Sequence, residues 1–211
     1  MGGSDRARIP VTVVDYGAGN LVSIEQALVA AGAVVRRAAH ADEIGDPALL
    51  VVPGVGASAP AMERLHAGGF VPAVLDWIAA DRPFLGICLG LQLLFERSDE
   101  DGAETLGVLR GHTVRLASAP TLPHIGWNQV ERRIDHPAFG GIAPGADFYF
   151  VHSYAGAPLD REVILAETEH GARFTAAVAQ GNLLGVQFHP ERSGDDGLRL
   201  VANVVGLAGA A

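Results

Sequence analysis

Pro83-Phe84-Leu85-Gly86-Ile87-Cys88-Leu89-Gly90-Leu91-Gln92-Leu93-Leu94-Phe95 holds the only cysteine in the 211 residues of the chain. Phe84 to Ile87 is a short apolar run behind the turn signal Asp81-Arg82-Pro83 and reads as a buried strand; Leu91, Leu94 and Phe95 then recur at helical spacing. A cysteine between a strand and a helix, with Gly86 two residues before it and Gly90 two after, has the form of a nucleophile elbow. Such a turn is so tight that only glycines clear the neighbouring side chains. At the N-terminus of the helix that follows, unpaired N–H groups and the positive end of the dipole favour a thiolate. The plain alternative is a small buried hydrophobe, which is what most lone cysteines are. The paired glycines and the strand-to-helix switch tip the reading towards a nucleophile.

Upstream of this stretch, strands and helices alternate. Val11 to Val14 reads as a strand, Tyr16-Gly17-Ala18-Gly19-Asn20 as a loop with Asn20 able to cap, and Leu21, Ile24, Leu28 and Ala31 as one helical face closed by Gly32. Val22 occupies the place of the third glycine of a dinucleotide-binding fingerprint, so a tight turn is the better reading of this loop. Ala33 to Arg37 and Leu49 to Val52 are further strands, the second ending at Pro53-Gly54-Val55-Gly56. Helical material follows from about Pro60 to Leu65 and from Phe70 to Ala79, the latter with Val71, Val74, Leu75 and Ile78 on one face. The alternation implies a parallel sheet covered on both faces, with sites at the carboxyl ends of its strands, where Cys88 and the Gly54–Gly56 loop both fall.

Downstream, Ser98 to Glu104 is an acidic loop that reads as a solvated face. Thr113 to Leu116, Phe148 to Val151, Val163 to Glu167 and Phe174 to Val178 qualify as shorter strands, and Gln180-Gly181-Asn182 as a hairpin turn into Leu183 to Phe188. Antiparallel pairing is therefore expected in the second half, before a closing helix over Leu198 to Leu207. Met1 to Arg8 reads as a flexible leader and residues 9–211 as a single domain, since no repeat or long linker interrupts them.

Composition excludes several functions. A net charge of -9 without a basic cluster argues against nucleic acid or an anionic membrane surface as partner. All 15 basic residues are arginine, which removes Schiff-base chemistry and the phosphate-loop lysine. One cysteine forms no internal disulfide and no apolar run reaches spanning length, so a cytoplasmic protein is expected.

A thiol nucleophile needs a base. His189-Pro190-Glu191 follows the apolar strand ending at Phe188; Pro190 biases His189 towards an extended backbone, and residues two apart on such a segment point the same way. Glu191 orienting an imidazole that faces Cys88 completes an orienter, base and nucleophile set. For the oxyanion, the elbow supplies the Leu89 N–H, and Gly54 and Gly56 free the Val55 peptide unit to turn its N–H inward. On spacing alone, that loop is equally an ordinary glycine turn.

Taken together, Gly86 to Gln92 and His189-Pro190-Glu191 resemble the class I, triad-type glutamine amidotransferases. Asp15 to Asn20, Pro53 to Gly56, Pro123-His124-Ile125-Gly126-Trp127-Asn128, Val151-His152-Ser153-Tyr154 and Gln187 to Gly194 narrow the resemblance to the glutaminase subunits of imidazole glycerol phosphate synthase, from about Val11 to Leu200. The resemblance implies a flavodoxin-like α/β fold, mostly parallel with antiparallel additions. It implies an obligate (β/α)8-barrel cyclase partner that receives the ammonia released from L-glutamine in histidine biosynthesis, with no metal or organic cofactor. It also makes Gln92, Ser153 and Tyr154 glutamine-holding positions, and Leu89 and Val55 oxyanion donors. Arg192 stands where the family usually has an interfacial lysine facing the cyclase, and Ala57-Ser58 where it often has phenylalanine. Arginine keeps that charge on a wider, planar donor fork. The rival functions are an amidotransferase of another pathway, a stand-alone cysteine hydrolase, and a silent binding subunit; intact Cys88, His189 and Glu191 argue against the last.

Overall fold

Five parallel strands make the floor on which the elbow sits. In the computed structural model, which describes residues 8–211, they are β1 (Ile9–Val14), β2 (Ala33–Ala38), β3 (Leu49–Gly54), β4 (Phe84–Cys88) and β12 (Leu183–Val186), in spatial order β2-β1-β3-β4-β12. This is the flavodoxin-like order, with the chain reversing direction across the sheet between β1 and β3. The leader expected at Met1 to Arg8 lies outside the described residues except for Arg8.

β3 and β4 are buried along their whole length because helices cover both faces, which explains their unbroken apolar sequence. Helix α1 (Leu21–Ala30) packs Leu21, Ile24, Ala27 and Leu28 inward, and Asn20 caps it by accepting the Ser23 N–H at 3.4 Å. α2 (Ser58–Ala67) and α3 (Phe70–Ala79) follow β3. The buried ridge of α3 is Phe70, Val74 and Trp77 rather than the face expected from Val71, Leu75 and Ile78, which are half-covered. The two large rings sit one turn either side of Val74 and take the inward side.

The helix after Cys88 differs from expectation. α4 is one turn, Leu89–Gln92. The carbonyls of Leu93, Leu94 and Phe95, which a continuing helix would use, instead accept the N–H groups of Leu106 (2.9 Å), Leu109 (2.8 Å) and Gly107 (2.8 Å). Leu91, Leu93, Leu94 and Phe95 are all buried, so the apolar spacing there reflects core packing of a turn-rich segment.

The second half adds strands to one edge of the sheet. β11 (Ala172–Gln180) pairs antiparallel with β12 across the two-residue turn Gly181-Asn182, then come β10 (Ile164–His170), β7 (His124–Arg132) and β8 (Ala146–His152), completing nine strands. A separate three-stranded sheet is formed by β5 (Arg97–Ser98), β6 (Gly111–Arg115) and β9 (Tyr154–Pro158). The chain passes from the large sheet to the small one at Ser153, between β8 and β9. Helix α5 (Gly194–Ala208) closes the fold, burying Leu200, Val201, Val204 and Val205. β5, β7 and β9 were not expected. β7 turns Ile125 and Trp127 outward and His124 inward, against the usual alternation of apolar inside and polar outside that its buried Val130 keeps.

Candidate active site

The carboxyl ends of three adjacent parallel strands converge. Gly54 ends β3 in register with Cys88 at the end of β4, and β12 beside them runs on through Gln187 and Phe188 to His189. Cys88 has φ 55° and ψ -106°, a left-handed backbone that L-residues rarely adopt and that marks a strained elbow. The flanking glycines are required by contact. A Cβ on Gly90 would collide with the Val52 carbonyl oxygen, and one on Gly86 would lie 2.7 Å from the Gly90 carbonyl oxygen.

His189 is extended, with φ -101° and ψ 95°, as expected for a residue before proline. Glu191 reaches it by a different route from the one expected. Pro190 opens a 3₁₀ turn over Pro190–Arg192, because its fixed φ suits a first helical position, and this turn brings Glu191 Oε1 to 2.8 Å from His189 Nδ1. The His189 backbone is pinned by its N–H to Tyr149 O at 2.9 Å and by the Ser193 hydroxyl donating to its carbonyl at 2.6 Å.

Burial by itself pushes the His189 pKa down; the adjacent Cys88 sulfur and the Glu191 carboxylate, through hydrogen bonding and charge, outweigh it and push it up to about 10. The protonated form of the ring is thus favoured. Among the described residues, neither His189 Nε2 nor Glu191 Oε2, both buried, has a partner of good hydrogen-bond geometry. An acceptor beside Cys88 would find a proton donor waiting there.

A cleft of about 220 Å³ opens over the sulfur, lined by Val55, Gly56, Ala57, Cys88, Leu89 and Gln92 on one side and by Glu100, Pro123 and Val151 to Tyr154 on the other. Seven of the residues singled out in the sequence meet here: Val55, Gly56, Cys88, Leu89, Gln92, Ser153 and Tyr154. His189 and Glu191 do not line the cleft; His189 adjoins the Cys88 sulfur. The loop residue Gly56 has φ +94°, a conformation that favours glycine, whereas Gly54 is needed for space: a Cβ there would strike the Tyr16 hydroxyl and lie 3.0 Å from Leu89 Cβ. Tyr154 touches Gln92 through its carbonyl, which accepts the Gln92 Nε2 hydrogen at 2.7 Å. Arg192 lies outside the cleft, its guanidinium carbon 4.1 Å from the centroid of the Tyr149 ring.

Sequence reading missed Glu100, placed on a solvated face yet lining the cleft, with its pKa raised by partial burial and then by Asp101. It also gave no role to Gln187 and His152. Gln187 sits inside the His189 motif, and its burial next to the sulfur follows only from the pairing of β12 with β4. A larger, mostly apolar cavity of about 390 Å³ lies at the opposite ends of β3, β4 and β12 and contains neither Cys88 nor His189.

An α/β sheet in flavodoxin order with a cysteine elbow and a carboxylate-oriented histidine on the neighbouring strand defines the class: residues 12–205 match the family Glutamine amidotransferase class-I, and the chain belongs to it. The fold agrees with a solved glutamine amidotransferase, with TM-score 0.75 at 22% identity over 94% of this chain and 98% of that one. PurLQS from Thermotoga maritima likewise superposes with TM-score 0.75 at 18% identity. More narrowly, its relatives bear the name imidazole glycerol phosphate synthase subunit HisH. That of Dehalococcoides mccartyi strain CBDB1 is 41% identical over 94% of this chain and 97% of its own, and that of Moorella thermoacetica 44% identical over 92% and 93%.

Proposed function

We propose that the chain is the glutaminase subunit of imidazole glycerol phosphate synthase. It would hydrolyse L-glutamine to glutamate and ammonia and pass the ammonia to a (β/α)8-barrel cyclase. The observation that carries this reading is strained Cys88 lining a cleft sized for an amino acid, with the carboxylate-oriented His189 next to its sulfur. Cys88 thiolate attacks the side-chain amide carbon of glutamine, and the resulting oxyanion lies between the N–H groups of Leu89 and Val55. Collapse breaks the C–N bond as the His189 imidazolium gives its Nε2 proton to the departing amine, which leaves as ammonia. Neutral His189 then takes a proton from water, whose oxygen attacks the thioester. Glutamate leaves and the thiolate–imidazolium pair is restored, with Glu191 holding the ring in one orientation throughout.

Gln92 spends both amide hydrogens, on Tyr154 O at 2.7 Å and Gln187 Oε1 at 3.0 Å, so its Oε1 is the acceptor left for substrate. That oxygen and the Glu100 carboxylate suit the α-ammonium of glutamine. Beside the cleft, Ile125 (59% exposed) and Trp127 (56% exposed) stand with Tyr149, against which Trp127 packs edge-on, and Arg192 caps that ring. This apolar strip with a cation at its end supports docking of a partner subunit, and a docked partner would keep ammonia from protonation in bulk water.

The test is glutamate release by the free chain, by its complex with the barrel cyclase, and by the complex with the cyclase's nucleotide ligand, in wild type and Val55→Pro. Expected is little turnover alone and strong activation in the liganded complex. Val55→Pro, which lacks the donor N–H, should lose roughly 10²- to 10³-fold of that activity. Full activity of the free chain would instead indicate a stand-alone hydrolase.

A further inference from the structure

A continuous chain of hydrogen bonds runs from the surface strand β7 to the sulfur of Cys88, and its direction is forced by its two carbonyls. Glu169 O can only accept, so the group 2.8 Å from it is the Asn128 amide nitrogen, which also faces His124 Nε2 at 3.2 Å. His124 Nε2 therefore accepts. Burial lowers the pKa of His124 to about 4 and that of His152 to about 3, so both rings are neutral and each has one donor nitrogen. His124 Nδ1–H then donates to His152 Nε2 at 3.2 Å, and His152 Nδ1–H donates to Tyr154 O at 2.8 Å. The same carbonyl accepts from Gln92 Nε2, whose second hydrogen goes to Gln187 Oε1. Gln187, fully buried, is thereby turned so that its Nε2 points at Cys88 Sγ, 3.6 Å away.

We propose that Gln187 is a positioning residue for the glutaminase reaction: its Nε2 steadies the Cys88 sulfur while its Oε1 fixes the amide of Gln92, in a sense set by the Tyr154 carbonyl, on which the Asn128–His124–His152 chain also ends. One side chain thus ties the nucleophile to the group that holds the substrate. A donor on the sulfur favours the charged nucleophile, and a locked Gln92 amide keeps its oxygen towards the cleft, where a flipped one would present hydrogens to an ammonium group. The proposal rests on reading this cleft as a glutaminase site.

Two variants separate its two contacts. Gln187→Glu keeps the shape and the acceptor for Gln92 but replaces the donor facing sulfur with an oxygen. Alkylation of Cys88 by iodoacetamide near neutral pH should slow by about tenfold to a hundredfold, with kcat for glutamine falling in parallel and KM moving less than about threefold. Gln187→Met, of similar size and apolar, removes both contacts, so KM should rise as well, by about tenfold. A residue that only fills space would give the opposite pattern, with Gln187→Met near wild type. Alkylation and kcat of a folded Gln187→Glu within twofold of wild type would overturn the proposal. Alkylation is read without turnover, so absence of glutaminase activity in the wild-type complex would sink the functional reading and leave these contacts to be judged separately.

Discussion

His189 and the pair His124 and His152 are buried imidazoles driven in opposite directions. His189 gains a sulfur and a carboxylate, and its pKa rises to about 10; for His152 and His124 burial, reinforced by repulsion from neighbouring histidines, lowers them to about 3 and about 4. The consequence for stability has a definite sign. Below its ordinary pKa near 6.5 His189 is protonated folded and unfolded, so its contribution is fully present there and is lost as pH rises towards 10. For His152 and His124 the unfolded chain binds protons that the folded chain refuses, so stability falls as pH drops below about 6.5. Unfolding by urea between pH 4 and 10 should therefore show a maximum near neutrality, each group contributing a slope of up to about 1.4 kcal/mol per pH unit in its own window. Glu191→Gln should flatten the alkaline limb and leave the acid limb. An alkaline limb unchanged in Glu191→Gln would contradict the ion pair.

The elbow is built from β4, α4 and the two glycines between which Cys88 turns, and its tolerance is set by the neighbouring strand. Gly90→Ala should destabilise the fold by at least about 2 kcal/mol, because the methyl runs into the β3 backbone at Val52 O, which has no room to yield. Gly206→Ala, on α5 with open space around it, should be neutral or slightly stabilising, and equal effects at both positions in thermal melts would contradict this account of the elbow. The elbow, the parallel strands and the His189–Glu191 pairing could be read in the sequence because each is local: a turn needing glycines, an apolar run, a histidine before proline. What escaped was non-local. The Leu93–Phe95 segment has helical spacing, yet its carbonyls are claimed by Leu106 to Leu109, far along the chain. β7 hides because its outward residues are apolar, and Glu100 because a loop carboxylate carries no periodicity to show that it faces the cleft.

At the scale of the whole molecule, the parallel half carries Cys88, the Gly54–Gly56 loop and His189 at the ends of three adjacent strands, proposed above as nucleophile, oxyanion loop and base, and the antiparallel half supplies the far wall of the cleft. The wall is made where the chain leaves the nine-stranded sheet for the three-stranded one, so Ser153 and Tyr154 are held from both sides. The same half carries the exposed Ile125 and Trp127 beside the half-buried Tyr149, the strip proposed above as the surface offered to a partner. On the proposed function all of this serves one covalent step, the transfer of the glutamyl group to the Cys88 sulfur. The most direct measurement is rapid-quench mass spectrometry of the peptide containing Cys88, taken from the cyclase complex during glutamine turnover, for wild type and Cys88→Ala. A glutamyl adduct on Cys88 that appears before glutamate is released, with glutamate release falling on the order of 10⁴- to 10⁶-fold in Cys88→Ala, is the expected result. Glutamate release that continues within tenfold of wild type in Cys88→Ala, with no adduct on the wild-type peptide, would contradict it.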